Sequence, residues 1–203
     1  MNDQITLYPS SISGEIIAPP SKSETHRAII SAALARGIST IHHVVLSEDI
    51  KATIRAVEAF GAKTNYNDHQ LTIDSRGELP SSSEMIDCHE SGSTLRFIIP
   101  LLSLNNQFAK ITGRDSLMNR PLNIYEELYH NEGFLFKKEN QQLTIKASLK
   151  PKKYRIPGNV SSQFITGLMF ALPLLQSDSE IEIMAHYESK NYVSMTINVL
   201  KQF

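Results

Sequence analysis

The 203-residue sequence predicts an α/β (α+β) fold made of repeated units, each running strand, helix, strand, helix, strand, strand. Three observations predict it. A small polar loop followed by an apolar helical run occurs three times, with Ser23, Gly92 and Ser161 spaced 69 positions apart. Each of these runs is followed by a second helical stripe. Leu-Thr-Ile occurs at Leu71-Thr72-Ile73 and again at Leu143-Thr144-Ile145, each time ten residues after a glycine that stops a helix, Gly61 or Gly133.

The elements follow in order. Ile5-Thr6-Leu7-Tyr8 reads as an extra strand ahead of the repeat. The first copy, Ile17-Ala18-Pro19-Pro20-Ser21-Lys22-Ser23-Glu24-Thr25-His26-Arg27, is a strand, a loop and a helix start. Ser47-Glu48-Asp49 opens the next helix, with acids in its first turn. Ile50, Ile54, Val57 and Phe60 form its stripe, and Gly61 ends it. The second copy, Ile86-Asp87-Cys88-His89-Glu90-Ser91-Gly92-Ser93-Thr94-Leu95-Arg96, repeats the design. Its second helix is expected from Pro121, a favoured first-turn residue, with Leu122, Tyr125, Leu128 and Tyr129 as the stripe. Asn67-Asp68 and Glu139-Asn140 read as hairpin turns. The third copy, Ile156-Pro157-Gly158-Asn159-Val160-Ser161-Ser162-Gln163-Phe164, leads through Ile181-Glu182-Ile183 to a helix from Lys190. Its closing hairpin is not in the sequence. That predicts a fragment, or closing strands supplied from elsewhere, and an unpaired apolar edge that favours self-association. Ser81-Ser82-Ser83 reads as a short loop, not as a linker.

Bulk properties exclude several classes. Net charge is −1, which argues against a nucleic-acid or membrane-surface binder. No stretch approaches 18 uninterrupted apolar residues. Cys88 is the one cysteine, so no internal disulfide can form and a reducing compartment is expected. The seven histidines form no metal pattern. His42 and His43 fall in an expected strand and point to opposite faces, and His26 has no evident partner. No Walker, dinucleotide-binding, Cys-x-x-Cys or Gly-x-Ser-x-Gly motif is present, and no cofactor or metal is expected.

The loops carry the chemistry. A polar Gly/Ser loop at a helix start leaves free N–H groups at the positive end of the helix dipole, and three such loops suit a ligand set rich in phosphate and carboxylate. Lys22 and Arg27 at one helix start are unfavourable for the helix alone and make sense opposite an anion. Arg120, held extended before Pro121, suits bidentate binding of phosphate or carboxylate. Ser161, Ser162 and Gln163 are more hydrogen-bonding side chains than one cap requires. Ser189-Lys190-Asn191-Tyr192 opens the last helix either as an ordinary cap or as part of a site. Cys88 reads as a small buried residue, not a nucleophile.

Five segments, Pro20-Ser21-Lys22-Ser23-Glu24-Thr25-His26-Arg27, Ser91-Gly92-Ser93-Thr94-Leu95-Arg96, Asn119-Arg120-Pro121, Val160-Ser161-Ser162-Gln163-Phe164 and Ser189-Lys190-Asn191-Tyr192, resemble in order and spacing those of the enolpyruvyl transferases. Within that family they resemble the branch acting on shikimate 3-phosphate. The resemblance covers essentially the whole chain. It implies one domain of a two-domain fold, with the βαβαββ units packed in pseudo-threefold symmetry. It divides the chain into an N-terminal strand (1–13) lying with the other domain and a phosphoshikimate-binding domain (14–203). That domain holds units at 14–83 and 84–154 and an incomplete unit at 155–203. The activity implied is transfer of the enolpyruvyl group from phosphoenolpyruvate to the 5-hydroxyl of shikimate 3-phosphate, with release of phosphate, in the cytoplasm. Shikimate 3-phosphate is assigned to Lys22, Ser23, Arg27, Ser161, Ser162, Gln163, Ser189 and Tyr192. Phosphoenolpyruvate is assigned to Lys22, Gly92, Arg120 and Gln163, with Lys22 as the electrostatic catalyst. The remaining catalytic groups come from the second half, so the isolated chain is expected to bind weakly and not to turn over. Its expected partners are the two small substrates and that C-terminal half, with no nucleic acid and no membrane.

Two residues depart from the family pattern. Glu90 replaces a common asparagine and would repel an anion unless a cation pairs with it. Asn191 replaces a common proline. The sister enzyme acting on UDP-N-acetylglucosamine is the nearest rival. It carries Lys-Asn where this chain has Lys22-Ser23, and usually cysteine where this chain has Asp115. A non-catalytic anion-binding scaffold is the rival from another class.

Overall fold

The computed structural model describes residues 4–76, 85–184 and 187–203, so the Ser81-Ser82-Ser83 loop lies outside the described residues. The first unit contributes α1 (Lys22–Leu34), β1 (Arg36–Ile41), α2 (Glu48–Ala59), β2 (Lys63–Asn67) and β3 (Gln70–Arg76). The second contributes β4 (Met85–Asp87), α3 (Gly92–Leu101), β5 (Phe108–Thr112), a short α4 (Asp115–Met118), α5 (Asn123–Asn131), β6 (Leu135–Glu139) and β7 (Gln142–Lys146). The third contributes β8 (Lys153–Pro157), α6 (Ser162–Ala171), β9 (Glu180–Met184) and α7 (Lys190–Leu200).

Each unit builds its own small sheet on one plan. In the second unit the order is β4-β5-β7-β6, with β4 parallel to β5 and the hairpin β6–β7 antiparallel. The first unit shows the same order without its first strand, β1-β3-β2. The third shows the parallel pair β8-β9. The Leu-Thr-Ile triplets occupy matching places in β3 and β7, the central antiparallel strands of their sheets. Alternation turns Leu71, Ile73, Leu143 and Ile145 into the core, where all four are fully buried. A groove of about 590 Å³ lies where α6, α7 and β9 meet, lined mainly by apolar groups such as Met169, Leu175, Ile181 and Leu200.

Several expectations need correction. Residues 4–21 form no strand, and Ile5, Leu7, Ile12 and Ile17 are almost wholly exposed. A strand needs a neighbour to satisfy its backbone groups, and the described chain offers none there. The hairpin turns fall one residue later, at Asp68-His69 and Asn140-Gln141. All four residues have positive φ, between 44° and 61°, as a two-residue turn that follows strand twist requires. The helix expected from Pro121 starts at Asn123. His42 and His43 lie beyond the end of β1, and His43 adopts φ 59°.

Serine caps fix the true repeat. Ser21, Ser91 and Ser161 are the N-caps of α1, α3 and α6, each accepting a backbone N–H of its own first turn. They are 70 positions apart, so Ser23 is not the structural equivalent of Gly92 or of Ser161. The Ser23, Gly92 and Ser161 register was one residue short at each step.

The crossing of α3 and α6 positions the site. Pro100 within α3 has no N–H to give the Arg96 carbonyl. The buried Tyr125 hydroxyl of α5 lies 2.8 Å from that carbonyl and 2.9 Å from the Phe164 carbonyl of α6, bridging the two helices. Gly167 lets them approach, because a Cβ there would overlap the Tyr125 hydroxyl and the Arg96 carbonyl.

Candidate functional site

The amino ends of α1, α3, α6 and α7 meet at one polar cavity of about 260 Å³. Its lining is Ser23, Arg27, Ser93, Ser161, Ser162, Gln163, Ser189 and Tyr192. Seven of these were singled out in the sequence. Lys22 is not among them. It lies beside the cavity with its Nζ 2.7 Å from Asp49 Oδ2, half exposed.

Arg27 is 2% exposed and ties three helices together. Its Nε donates to Thr196 Oγ1 of α7 at 2.7 Å and one terminal nitrogen to Thr166 Oγ1 of α6 at 3.2 Å. The other donates to the Ser23 carbonyl at 2.7 Å. The guanidinium stands over the rings of Phe97 and Tyr192. Burial pushes its pKa down to about 10, so it remains a cation at neutral pH. The hydroxyls of Ser23, Ser162 and Ser189 make no hydrogen bond among the described residues. Ser189 occupies the N-cap of α7 without a side-chain capping bond, so the capping role considered for it is not taken up. Ser161 does cap its helix, accepting from the Gln163 N–H at 3.3 Å.

A second cluster adjoins the first through Gln163. Arg96, 7% exposed, donates from one terminal nitrogen to Gln163 Oε1 at 2.8 Å and from the other to the Pro121 carbonyl at 3.3 Å. The donor-only guanidinium fixes Oε1 toward Arg96, and Gln163 Nε2 then donates to Ser93 Oγ at 2.9 Å. The Arg96 Nε is buried without a partner. Burial lowers the Arg96 pKa, and the nearby Arg120 lowers it further. A Cβ on Gly92 would stand 2.8 Å from a terminal nitrogen of Arg120 and 3.0 Å from one of Arg96. Gly92, Arg120 and Gln163, expected to act together, are thus brought together, and Gly92 makes room for two guanidinium groups.

Ser93 and Arg96 were missed as site residues, although both stand in the quoted second loop. Arg96 follows Gly92 by one helical turn, and its burial could not be read from spacing. Glu90 lies outside the cluster. It accepts from Ser116 Oγ at 3.1 Å and sits 3.7 Å from Arg114, the pairing cation its position required. Cys88 is fully buried, and burial pushes its thiol pKa well up, so it is inert. Among the described residues no group of His, Cys, Asp and Glu could hold a metal ion. None of their helices is long and apolar enough to cross a membrane.

The arrangement has one dominant electrostatic feature. Among the described residues, Arg27, Arg96 and Arg120 have no carboxylate within ion-pair distance, and two of the three are buried. A buried cation without a counter-charge is costly. Four helix amino ends add positive potential at the same place. The class so defined is an α/β domain of repeated units with uncompensated positive charge at its helix amino ends.

Comparison with known proteins narrows that class. The family model for EPSP synthase (3-phosphoshikimate 1-carboxyvinyltransferase) matches residues 8–203, and the chain belongs to that family. The 3-phosphoshikimate 1-carboxyvinyltransferase of Clostridium novyi (strain NT) is 43% identical over 99% of this chain and 49% of its own length. That of Clostridioides difficile (strain 630) is 41% identical over 98% and 48%. The chain therefore spans about half the length of the curated relatives it matches. An EPSP synthase structure from Acinetobacter baumannii superposes with a TM-score of 0.72 at 22% identity, covering 85% of this chain and 41% of that one, a likeness of fold.

Proposed function

We propose that this chain is the phosphoshikimate-binding part of an enzyme that transfers the enolpyruvyl group of phosphoenolpyruvate to the 5-hydroxyl of shikimate 3-phosphate. The observation that carries the reading is the gathering of Arg27, Arg96 and Arg120, without carboxylate partners among the described residues, beside the unpartnered hydroxyls of Ser23, Ser162 and Ser189 at the amino ends of α1, α6 and α7. In this reading Arg27, Ser23, Ser161, Ser162, Gln163, Ser189 and Tyr192 hold shikimate 3-phosphate. The serines and Gln163 meet its hydroxyls and phosphate oxygens. Gly92, Arg96, Arg120 and Gln163 face phosphoenolpyruvate. Lys22 leaves Asp49 to reach an anion when both substrates are bound. A cavity of about 260 Å³ lies just under the range of roughly 300–1,000 Å³ usual for small-molecule pockets, which fits a site walled on one side by this chain.

The reaction adds the 5-hydroxyl to carbon 2 of phosphoenolpyruvate, protonates carbon 3 and expels phosphate. It needs a general acid and base as well as cations against developing charge. The described cavity lining and the adjoining Arg96 and Arg120 supply cations and hydrogen-bond donors but no carboxylate or free imidazole. The proton-transfer groups are assigned to a C-terminal half of a cytoplasmic two-domain protein, and residues 1–13 are assigned as a strand lying with that other domain. Within the half in hand, the unit boundaries are 14–83, 84–154 and 155–203.

Calorimetry tests the reading. Shikimate 3-phosphate is expected to release binding heat with this chain, weakly, where UDP-N-acetylglucosamine releases none, and no turnover is expected with phosphoenolpyruvate. Heat with the nucleotide sugar would favour the sister activity, and heat with neither would favour a scaffold.

A further inference from the structure

A buried chain of side-chain hydrogen bonds runs from α1 through α2 to the cap of α3. His26 Nδ1 lies 2.6 Å from Thr53 Oγ1, and Thr53 Oγ1 lies 2.7 Å from Thr94 Oγ1. Thr94 Oγ1 donates to Ser91 Oγ at 2.7 Å. Ser91 Oγ also accepts the Thr94 backbone N–H at 3.2 Å, the capping bond that sets the Gly92 turn. His26, Thr53 and Thr94 are all buried, and His26 Nε2 has no partner.

Proton counting gives this chain one direction. A threonine hydroxyl has one hydrogen. The Thr94 hydrogen goes to Ser91, so Thr94 Oγ1 must accept across its 2.7 Å contact with Thr53. The Thr53 hydrogen is thereby committed, and its 3.2 Å approach to the Asp49 carbonyl is secondary. Thr53 Oγ1 must then accept from His26. We infer that His26 is held as the Nδ1–H tautomer, a positioning residue whose single donor orders the Thr53–Thr94–Ser91 hydroxyls and so holds the Gly92 turn in its anion-binding conformation. The inference rests on the proposed function only for the identity of the anion. Other observations agree. Burial is the main force keeping His26 neutral, with Lys22 and Arg27 acting the same way against the opposing carboxylate of Asp49. A neutral imidazole in water prefers the hydrogen on Nε2, so this tautomer is imposed by the fold.

Nitrogen NMR of the full chain with labelled histidine is the direct test. The expected result for His26 is a protonated Nδ1 and a bare, pyridine-like Nε2. A protonated Nε2 with bare Nδ1, or an imidazolium at neutral pH, would overturn the inference and leave the proposed function standing. A pair of variants tests the positioning role. The carboxamide of His26→Asn can offer an N–H where Nδ1–H stood, and His26→Leu offers none. With shikimate 3-phosphate present, His26→Leu is expected to weaken phosphoenolpyruvate binding about tenfold, the scale of one buried hydrogen bond left unmade. His26→Asn is expected to stay within about twofold of the parent on the same scale. Equal binding by both variants, or equal loss in both, would contradict the role. If His26→Leu does not fold, the tautomer measurement still decides.

Discussion

At the scale of single residues, the site is organised by what Gly92 lacks. An alanine there meets two guanidinium nitrogens at about 3 Å, and these are the ends of flexible side chains that can swing away. Gly92→Ala is therefore expected to fold with a stability change of less than ~1 kcal/mol. Its affinity for phosphoenolpyruvate should fall about tenfold, since Arg96 and Arg120 no longer converge. Urea denaturation and calorimetry separate the two effects, and an unchanged affinity would refute the shared site. His26 gives the residue scale its pH dependence. Burial lowers its pKa from 6.5 to about 4. Above pH 6.5 both folded and unfolded states are neutral, and the fold loses nothing. Between 6.5 and about 4 the unfolded chain takes up a proton that the native state refuses, so stability falls with pH. From pH 7 to pH 5 the loss should be about 2 kcal/mol. His26→Asn should remove that part of the slope in denaturation curves measured at both pH values.

At the scale of elements, the crossing of α3 and α6 sets where Arg96 and Gln163 meet. Gly167→Ala places a methyl group against the Arg96 carbonyl and the Tyr125 hydroxyl, neither of which can move aside alone. A destabilisation of about 2–3 kcal/mol is expected in urea denaturation, with weakened ligand binding following from it. A loss under about 0.5 kcal/mol would show that the helices can part without cost. This scale also shows what the sequence makes legible. The apolar stripes, the helix-stopping glycines Gly61 and Gly133 and the Leu-Thr-Ile triplets are local signals, and each lands in the expected element. The loop residues were legible because a serine- and glycine-rich helix start has few structural uses for so many polar groups. What was not legible depends on neighbours. Ile5 to Tyr8 reads as a strand but has no partner to pair with among the described residues. The turns shift by one residue because φ, not composition, selects Asp68-His69 and Asn140-Gln141. Arg96 and His26 looked ordinary until the fold buried them beside partners far away in sequence.

At the scale of the whole molecule, three units of unequal completeness point helix amino ends at one place. Arg27 joins α1 to α6 and α7, Tyr125 joins α3 to α6, and the His26 chain joins α1, α2 and α3. The positive charge so concentrated is unmatched by acids among the described residues, which is the physical ground of the proposed anion site. A crystal structure with shikimate 3-phosphate bound tests this most directly. The account predicts the ligand against Arg27, its oxygens bonded to the hydroxyls of Ser23, Ser162 and Ser189 and to the amide of Gln163. Electron density for it in the apolar groove between α6, α7 and β9, or anywhere away from Arg27 and Gln163, would contradict the account.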